Sequence, residues 1–252
     1  MATKYLRTSD LAQAVGAHPN TVRLYEEWGL IPPVERSPSG YRLFTQTHLD
    51  CLRLARLIYA AAYPGRTLRA SGKAIIQHAV AGDWQGARDQ ADAHLEAVQT
   101  ELARANLAVT LLEDWAQAQA AASNEPPLSI GEAANFLGVS VDATRNWERN
   151  GLLSVPRNLA NGYRLFGKVE IERLRIIRML SQAGYSHMAI LRMFLELDGG
   201  NTAGLREALD TPRPDEDIFT AADRWLTTLS EQEYTAQRVI ELIVEQLVPA
   251  GA

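Results

Sequence analysis

Slid 122 residues along itself, the chain aligns two of its own segments without a gap, and this duplication constrains the fold more than any other feature. Leu6–Phe44 falls on Leu128–Phe166, with identities at Leu6/Leu128, Ala12/Ala134, Gly16/Gly138, Arg23/Arg145, Glu26/Glu148, Gly29/Gly151 and Leu30/Leu152. The run Gly40-Tyr41-Arg42-Leu43-Phe44 recurs intact as Gly162-Tyr163-Arg164-Leu165-Phe166. The register continues through Leu52/Leu174, Arg53/Arg175 and Arg56/Arg178 to Tyr63/Tyr185. A repeat this long indicates duplicated domains rather than a solenoid of small units.

Within one copy the local signals predict two short helices and a hairpin. Thr8 or Ser9 can cap a helix carrying Leu11, Ala14 and Val15, and Gly16 suits its end. His18-Pro19 starts a second helix with proline at the favoured first position, and Ser140 takes the capping role in the second copy. A link of about three residues between such helices is that of a helix-turn-helix. Gly29 and Gly151 end the second helix. The polar turn Arg36-Ser37-Pro38-Ser39-Gly40 and the strand-like Tyr41–Phe44 then read as a hairpin, or wing. Amphipathic helices follow at His48–Ala62 and after Pro64, and in the second copy at Val169–Gln182 and from Ser186.

The formal net charge of -5 argues at first against a polyanionic partner. Its distribution argues otherwise. Residues 1–73 hold 10 Lys/Arg against 5 Asp/Glu, and residues 128–195 hold 9 against 5. The intervening residues 74–127 hold 2 against 8, and residues 196–252 hold 4 against 12. Because salt screens charges beyond roughly 8 Å, the local field decides attraction to phosphate. Two basic blocks therefore alternate with two acidic ones.

The second helix of a helix-turn-helix turns its N-terminal residues toward base edges in the major groove. Here that end offers His18, Asn20, Thr21, Arg23, Leu24 and Tyr25, and in the second copy Ser140, Asp142, Ala143, Arg145, Asn146 and Trp147. Asn and Arg can read adenine and guanine, while Tyr and Trp can meet the sugar-phosphate backbone. Arg36, Tyr41 and Arg42, matched by Arg157, Tyr163 and Arg164, are candidate phosphate clamps. Arg66 and Thr67, and Ser186 and His187, open later helices where a further backbone contact is expected. Taken singly, each of these residues also fits a solvated helix or an ordinary strand start.

The constellation is more specific. Thr21-Val22-Arg23-Leu24-Tyr25-Glu26, then Gly29-Leu30-Ile31, then Gly40-Tyr41-Arg42-Leu43-Phe44 resembles the DNA-binding domain of MerR-family regulators. The resemblance covers about 60 residues in each copy. It implies a mainly α fold: two winged helix-turn-helix domains, each with a β-hairpin wing and a long C-terminal helix paired as an antiparallel coiled coil. It implies double-stranded promoter DNA as partner, bent and untwisted by a paired module, with RNA polymerase nearby on the promoter. Leu24 departs from the family tyrosine, and Ala143 and Asn146-Trp147 depart further. The halves are thus expected to read different sequences.

The corresponding partition is a first winged domain over 1–82, a dimerisation-type helix over 83–122, a hinge over 123–127, a second winged domain over 128–198 and a helical tail over 199–252. Gly86–Ala122 carries Ala87, Ala91, Leu95, Val98, Leu102, Ala105, Val109 and Leu112 at helical steps. Phe219–Val248 carries Leu226, Leu229, Val239, Leu242, Val244 and Leu247. Such stripes suit helix pairing or packing on the home domain. Family members pair through these tails, so the tandem order predicts a monomeric pseudo-dimer; the rival is a homodimer with four modules.

Trp84, Trp115, Trp225 and Tyr234 lie in the tails and fit either an aromatic pocket for a small-molecule effector or plain core. The single Cys51 excludes an internal disulfide and a multi-cysteine metal site, and His18, His48, His78, His94 and His187 lack metal-ligand spacing, so no metal or cofactor is expected. No phosphate-cradling glycine loop, nucleophile motif or His-carboxylate cluster marks an enzyme. An architectural or excision accessory DNA-binding role stays open as the alternative. No stretch is apolar enough for a membrane span, and Met1–Tyr5 lacks a secretory signal's apolar run, so the cytoplasm is the expected compartment.

Overall fold

The computed structural model describes residues 5–62, 65–117, 126–214 and 221–247. The chain is mainly helical and divides into two compact units, residues 1–100 with 229–252, and residues 101–228. The predicted ends Ala122, Phe219 and Val248, hinge residues 123–125, Tyr63 and Pro64 lie outside the described residues.

The first unit opens with α1 (Thr8–Ala14) and α2 (Pro19–Glu27). The cap of α1 is Arg7 rather than Thr8 or Ser9, because its backbone N–H donates to Asp10 Oδ2 at 2.8 Å. The expected start of α2 at Pro19 is observed, with His18 Nδ1 accepting from the Asn20 N–H at 3.2 Å. Strands β1 (Glu35–Arg36) and β2 (Arg42–Leu43) pair antiparallel as the wing. Gly29, just after α2, and Gly40, in the wing turn, have φ of 66° and 84°, and their equivalents Gly151 and Gly162 have 76° and 73°. A Cβ at Gly29 or Gly40 would meet nothing within 4 Å, so backbone conformation and not crowding selects glycine there.

Helices α3 (Gln46–Ala60) and α4 (Gly65–Val80) close the module around Phe44, which is fully buried where its strand bonds back to Leu6. The same core includes Leu11, Val22, Ile31, Leu52, Ile58 and Ile75. It also takes in Ala87 and Ala91 from the start of α5 (Trp84–Gln117), and Val239 and Ile243 from the end of α11 (Trp225–Leu247). Gln99 Nε2 donates to Glu233 Oε1 at 2.9 Å, and Gln232 Nε2 donates to the Ala62 carbonyl at 2.7 Å. Along residues 229–247 of α11 the buried positions are Leu229, Gln232, Ala236, Val239 and Ile243, a repeat of three and four. Of the positions predicted on this helix, Leu226, Leu242 and Val244 are half-buried and Leu247 is exposed.

The second unit repeats the module with α6 (Ile130–Leu137), α7 (Val141–Arg149), α8 (Lys168–Gln182) and α9 (His187–Asp198). Ser140 caps α7 as expected, its Oγ accepting from the Ala143 N–H at 3.0 Å. Phe166 is buried and bridges to Leu128, but the wing narrows to a single bridge, Arg157 to Arg164. A short α10 (Leu205–Asp210), which no cap or periodicity signals in the sequence, packs on α9. The last part of α5 belongs to this unit: Ala105 accepts from the Tyr185 hydroxyl at 3.3 Å, and Arg206 reaches Asn106 at 2.9 Å and Glu113 at 3.4 Å. The indole N–H of Trp225 donates to the Ala183 carbonyl at 2.7 Å.

Ile243 is fully buried in the first unit although it lies far along the chain from that module. Ile243→Ala is therefore expected to lower stability by about 2–5 kcal/mol in denaturant unfolding followed through Trp28 and Trp84 emission. A change below about 0.5 kcal/mol, typical of surface positions, would show that this seat contributes nothing.

Candidate nucleic-acid interface

In the first module the exposed face of α2 presents Asn20, Arg23 and Leu24, with His18 exposed at its start and Thr21 half-buried. Arg23 Nη1 donates to Asn20 Oδ1 at 3.0 Å, one helical turn away, so the two polar side chains form one cluster at the helix start. In the second module Asp142 and Arg145 are exposed and joined at 3.3 Å, beside half-buried Ala143 and Asn146. Here the cluster carries a carboxylate where the first carries an amide.

Tyr25 and Trp147, expected at the backbone of DNA, are instead core residues at 8% and 7% exposure. The helical period explains this: Val22 and Tyr25, like Thr144 and Trp147, lie on the inward side, three residues apart. Trp28, by contrast, is 64% exposed at the cap of α2, and Arg149 is exposed at the end of α7. Both join the outward faces although the family motif points to neither. A step of four residues, from Leu24 in one module and Arg145 in the other, reaches them.

The wings place Tyr41 and Tyr163 at 74% and 73% exposure. Arg36 Nη1 donates to the Gly40 carbonyl at 3.3 Å, and Arg157 Nη1 to the Gly162 carbonyl at 3.3 Å. These two arginines do the same job although they are one residue out of step in the gapless alignment. Arg42 and Arg164, expected as phosphate clamps, have an internal role: Arg42 Nε meets Glu26 Oε2 at 2.6 Å, and Arg164 Nε meets Glu148 Oε2 at 2.7 Å. Each pair ties a wing to the helix before it. Arg66 is exposed in the first turn of α4, whereas His187 is half-buried in α9.

The four aromatic candidates for an effector pocket fall two to a unit. Trp84 packs against the first core and Tyr234 is 66% exposed, while Trp115 is half-buried and Trp225 is 7% exposed in the second unit. Burial pushes the Cys51 thiol up to about 12, so it stays protonated as a packed core group. Among the described residues no group of three or more His, Cys, Asp or Glu is placed to hold a metal ion, and no helix is long and apolar enough to cross a membrane.

Two family models match the chain at separate places, the MerR family regulatory protein model over residues 7–44 and the MerR HTH family regulatory protein model over residues 128–197. Two separate segments of the chain, together less than half of it, are thus similar to the MerR family. The two MerR-type modules stand in tandem. The HTH-type transcriptional regulator CueR of Escherichia coli is 40% identical over 70 residues, 28% of this chain and 50% of that protein. A probable heavy metal-dependent transcriptional regulator of Haemophilus influenzae is 28% identical over 114 residues, covering 45% and 80%. The mercuric resistance operon regulatory protein of Bacillus cereus is 33% identical over 57 residues, covering 23% and 43%. The chain spans about half the length of the CueR proteins it matches. No solved structure matches it significantly.

Both partners of the Arg42–Glu26 pair are about one-fifth to one-quarter exposed, so water replaces the contact poorly. Glu26→Ala is expected to destabilise the first module by about 1–3 kcal/mol, and Glu148→Ala the second by a similar amount, in denaturant titrations. Variants as stable as the parent would show the wings to be held by other contacts.

Proposed function

We propose that the chain is a cytoplasmic, DNA-binding transcription regulator whose two winged modules, 1–82 and 128–198, grip neighbouring parts of one promoter and distort it. One observation carries this reading: both modules turn the same set outward, an arginine on the second helix and a tyrosine on the wing, within basic segments. In this reading Arg23 and Arg145 face base edges, with Asn20 and Asp142 beside them. Tyr41, Tyr163, Arg36, Arg157 and Arg66 face phosphates. Asp142 is exposed at the start of α7, where it repels phosphate and can accept a hydrogen bond from a cytosine amino group. The second module thus reads a different half-site, and more weakly.

The same reading makes the chain an intramolecular pseudo-dimer. Its support is the pairing inside the first unit, where residues 84–100 of α5 lie with residues 229–247 of α11 from the far end of the chain. Ala87 and Ala91 share a core with Val239 and Ile243, and Gln99 meets Glu233, an order that suits antiparallel helices. Tethering makes docking of the second module intramolecular, at an effective concentration on the order of millimolar. It also frees the operator from two-fold symmetry.

Selection of duplexes from a random pool tests the reading. Binding should fall steeply with salt, as phosphate contact requires. Arg23→Ala should weaken the selected site by about 1–3 kcal/mol and relax one half-site, and Arg145→Ala should relax the other. Absence of any preferred duplex at low ionic strength would end the proposal. Asp142→Asn removes a charge from the second reading head and is expected to tighten binding to random duplex several-fold; weaker binding would place Asp142 in a base contact instead. Sedimentation of the free protein should give one chain per particle, and an obligate dimer on a perfect palindrome would reject the pseudo-dimer.

A further inference from the structure

The second unit contains a groove of about 570 Å³ between the last part of α5 and the face of α8. That volume lies in the range of small-molecule sites, which are typically several hundred Å³. Arg104, Leu107 and Leu111 line one side, and Arg175, Arg178 and Met179 the other. On each helix these residues recur at steps of three and four, so two continuous faces look onto the groove. Seven residues of helix span about 10 Å, enough for an extended chain of roughly ten carbons.

The lining combines two chemistries. Three arginines and no Asp or Glu line it, with the Arg175 guanidinium also lying over the Phe136 ring at 5.1 Å. Arg178 Nε is buried and has no hydrogen-bond partner among the described residues, an expensive state for a charged donor. Arg104 and Arg175 have ion pairs with Glu101 and Glu172, but both pairs lie between neighbours on one helix and are half exposed on the arginine side. Such pairs are weak and exchange readily for another anion. Between the cations, Leu107 and Leu111 are 59% and 48% exposed, more apolar surface than a tail helix needs for its own packing.

We propose that this groove binds a small amphipathic anion, its carboxylate or similar acidic head on Arg178 and Arg104 and its apolar body along Leu107, Leu111 and Met179. A nucleic-acid backbone would use the arginines but leave the leucines facing solvent, and a neutral apolar ligand would leave Arg178 without an acceptor. The site shares no residue with the DNA-facing set, and none of the four tail aromatics lines it, although Trp225 bonds to the carbonyl of the lining residue Ala183.

Calorimetric titration of the intact chain, without DNA, tests the assignment with decanoate below its micelle-forming concentration, and with decanol and acetate as the body-only and head-only probes. Decanoate is expected to saturate at one per chain, with decanol and acetate at least tenfold weaker. Arg178→Gln and Arg104→Gln should each weaken decanoate tenfold or more. Arg104 is exposed on α5, so its variant keeps the test open even if Arg178→Gln fails to fold. No saturable decanoate binding, equal affinity for decanol, or indifference to the Arg104 change would each overturn the site. So would loss of duplex affinity in Arg104→Gln without any decanoate binding, which would make the groove a nucleic-acid surface. Because decanoate is titrated without DNA, a failure here and a failure of the DNA-reading proposal are separately visible.

Discussion

One glutamate on the inner edge of each second helix ties that helix to its wing. Glu26 and Glu148 accept from the wing arginines Arg42 and Arg164 at 2.6 and 2.7 Å, joining helix and wing directly. Neither wing has much sheet to stabilise it: the first has a two-residue ladder and the second a single bridge. Isolated hairpins of that length are marginal in water. The ion pair, the arginine-to-turn bonds at Gly40 and Gly162, and the buried Phe44 and Phe166 supply what the ladder lacks. Those anchors leave Tyr41 and Tyr163 free to project outward.

The duplication preserves this frame while changing what it presents. Asn20 becomes Asp142, Leu24 becomes Asn146, and Trp28 becomes Asn150, all on outward or half-outward positions. Inward positions keep their character: Tyr25 and Trp147 are both aromatic and both buried. Replacement is cheap where side chains meet solvent and costly where they fill a core, so the two modules diverge at the surface first.

Most of the site is legible in the sequence because a repeat carries its own control. A lone Gly-Tyr-Arg is an ordinary strand start; the same five residues twice, each after a matching helix, are a module. The burial of Tyr25 and Trp147 follows from the helical period but is masked by the polar tips of these side chains. The wing arginines mislead for a different reason. An arginine in a basic segment suggests phosphate, and nothing local says that Glu26 lies within 2.6 Å, because sixteen residues separate the two in the chain. The stripe along α11 is blurred because its buried register includes Gln232 and Ala236, one polar and one small, while the more apolar Leu242 and Leu247 fall outside it.

The amino-acid order by itself determined the two modules, their helices, their glycine-ended turns and the cationic blocks, since each of these rests on contacts within a few tens of residues. Tertiary structure decided which partners the long helices take. The first module completes its core with Val239 and Ile243, and the second unit takes the last part of α5, with Tyr185 bonded to Ala105. An apolar stripe states that a helix must be covered, but burial is non-directional, and only the packed fold selects the surface that covers it.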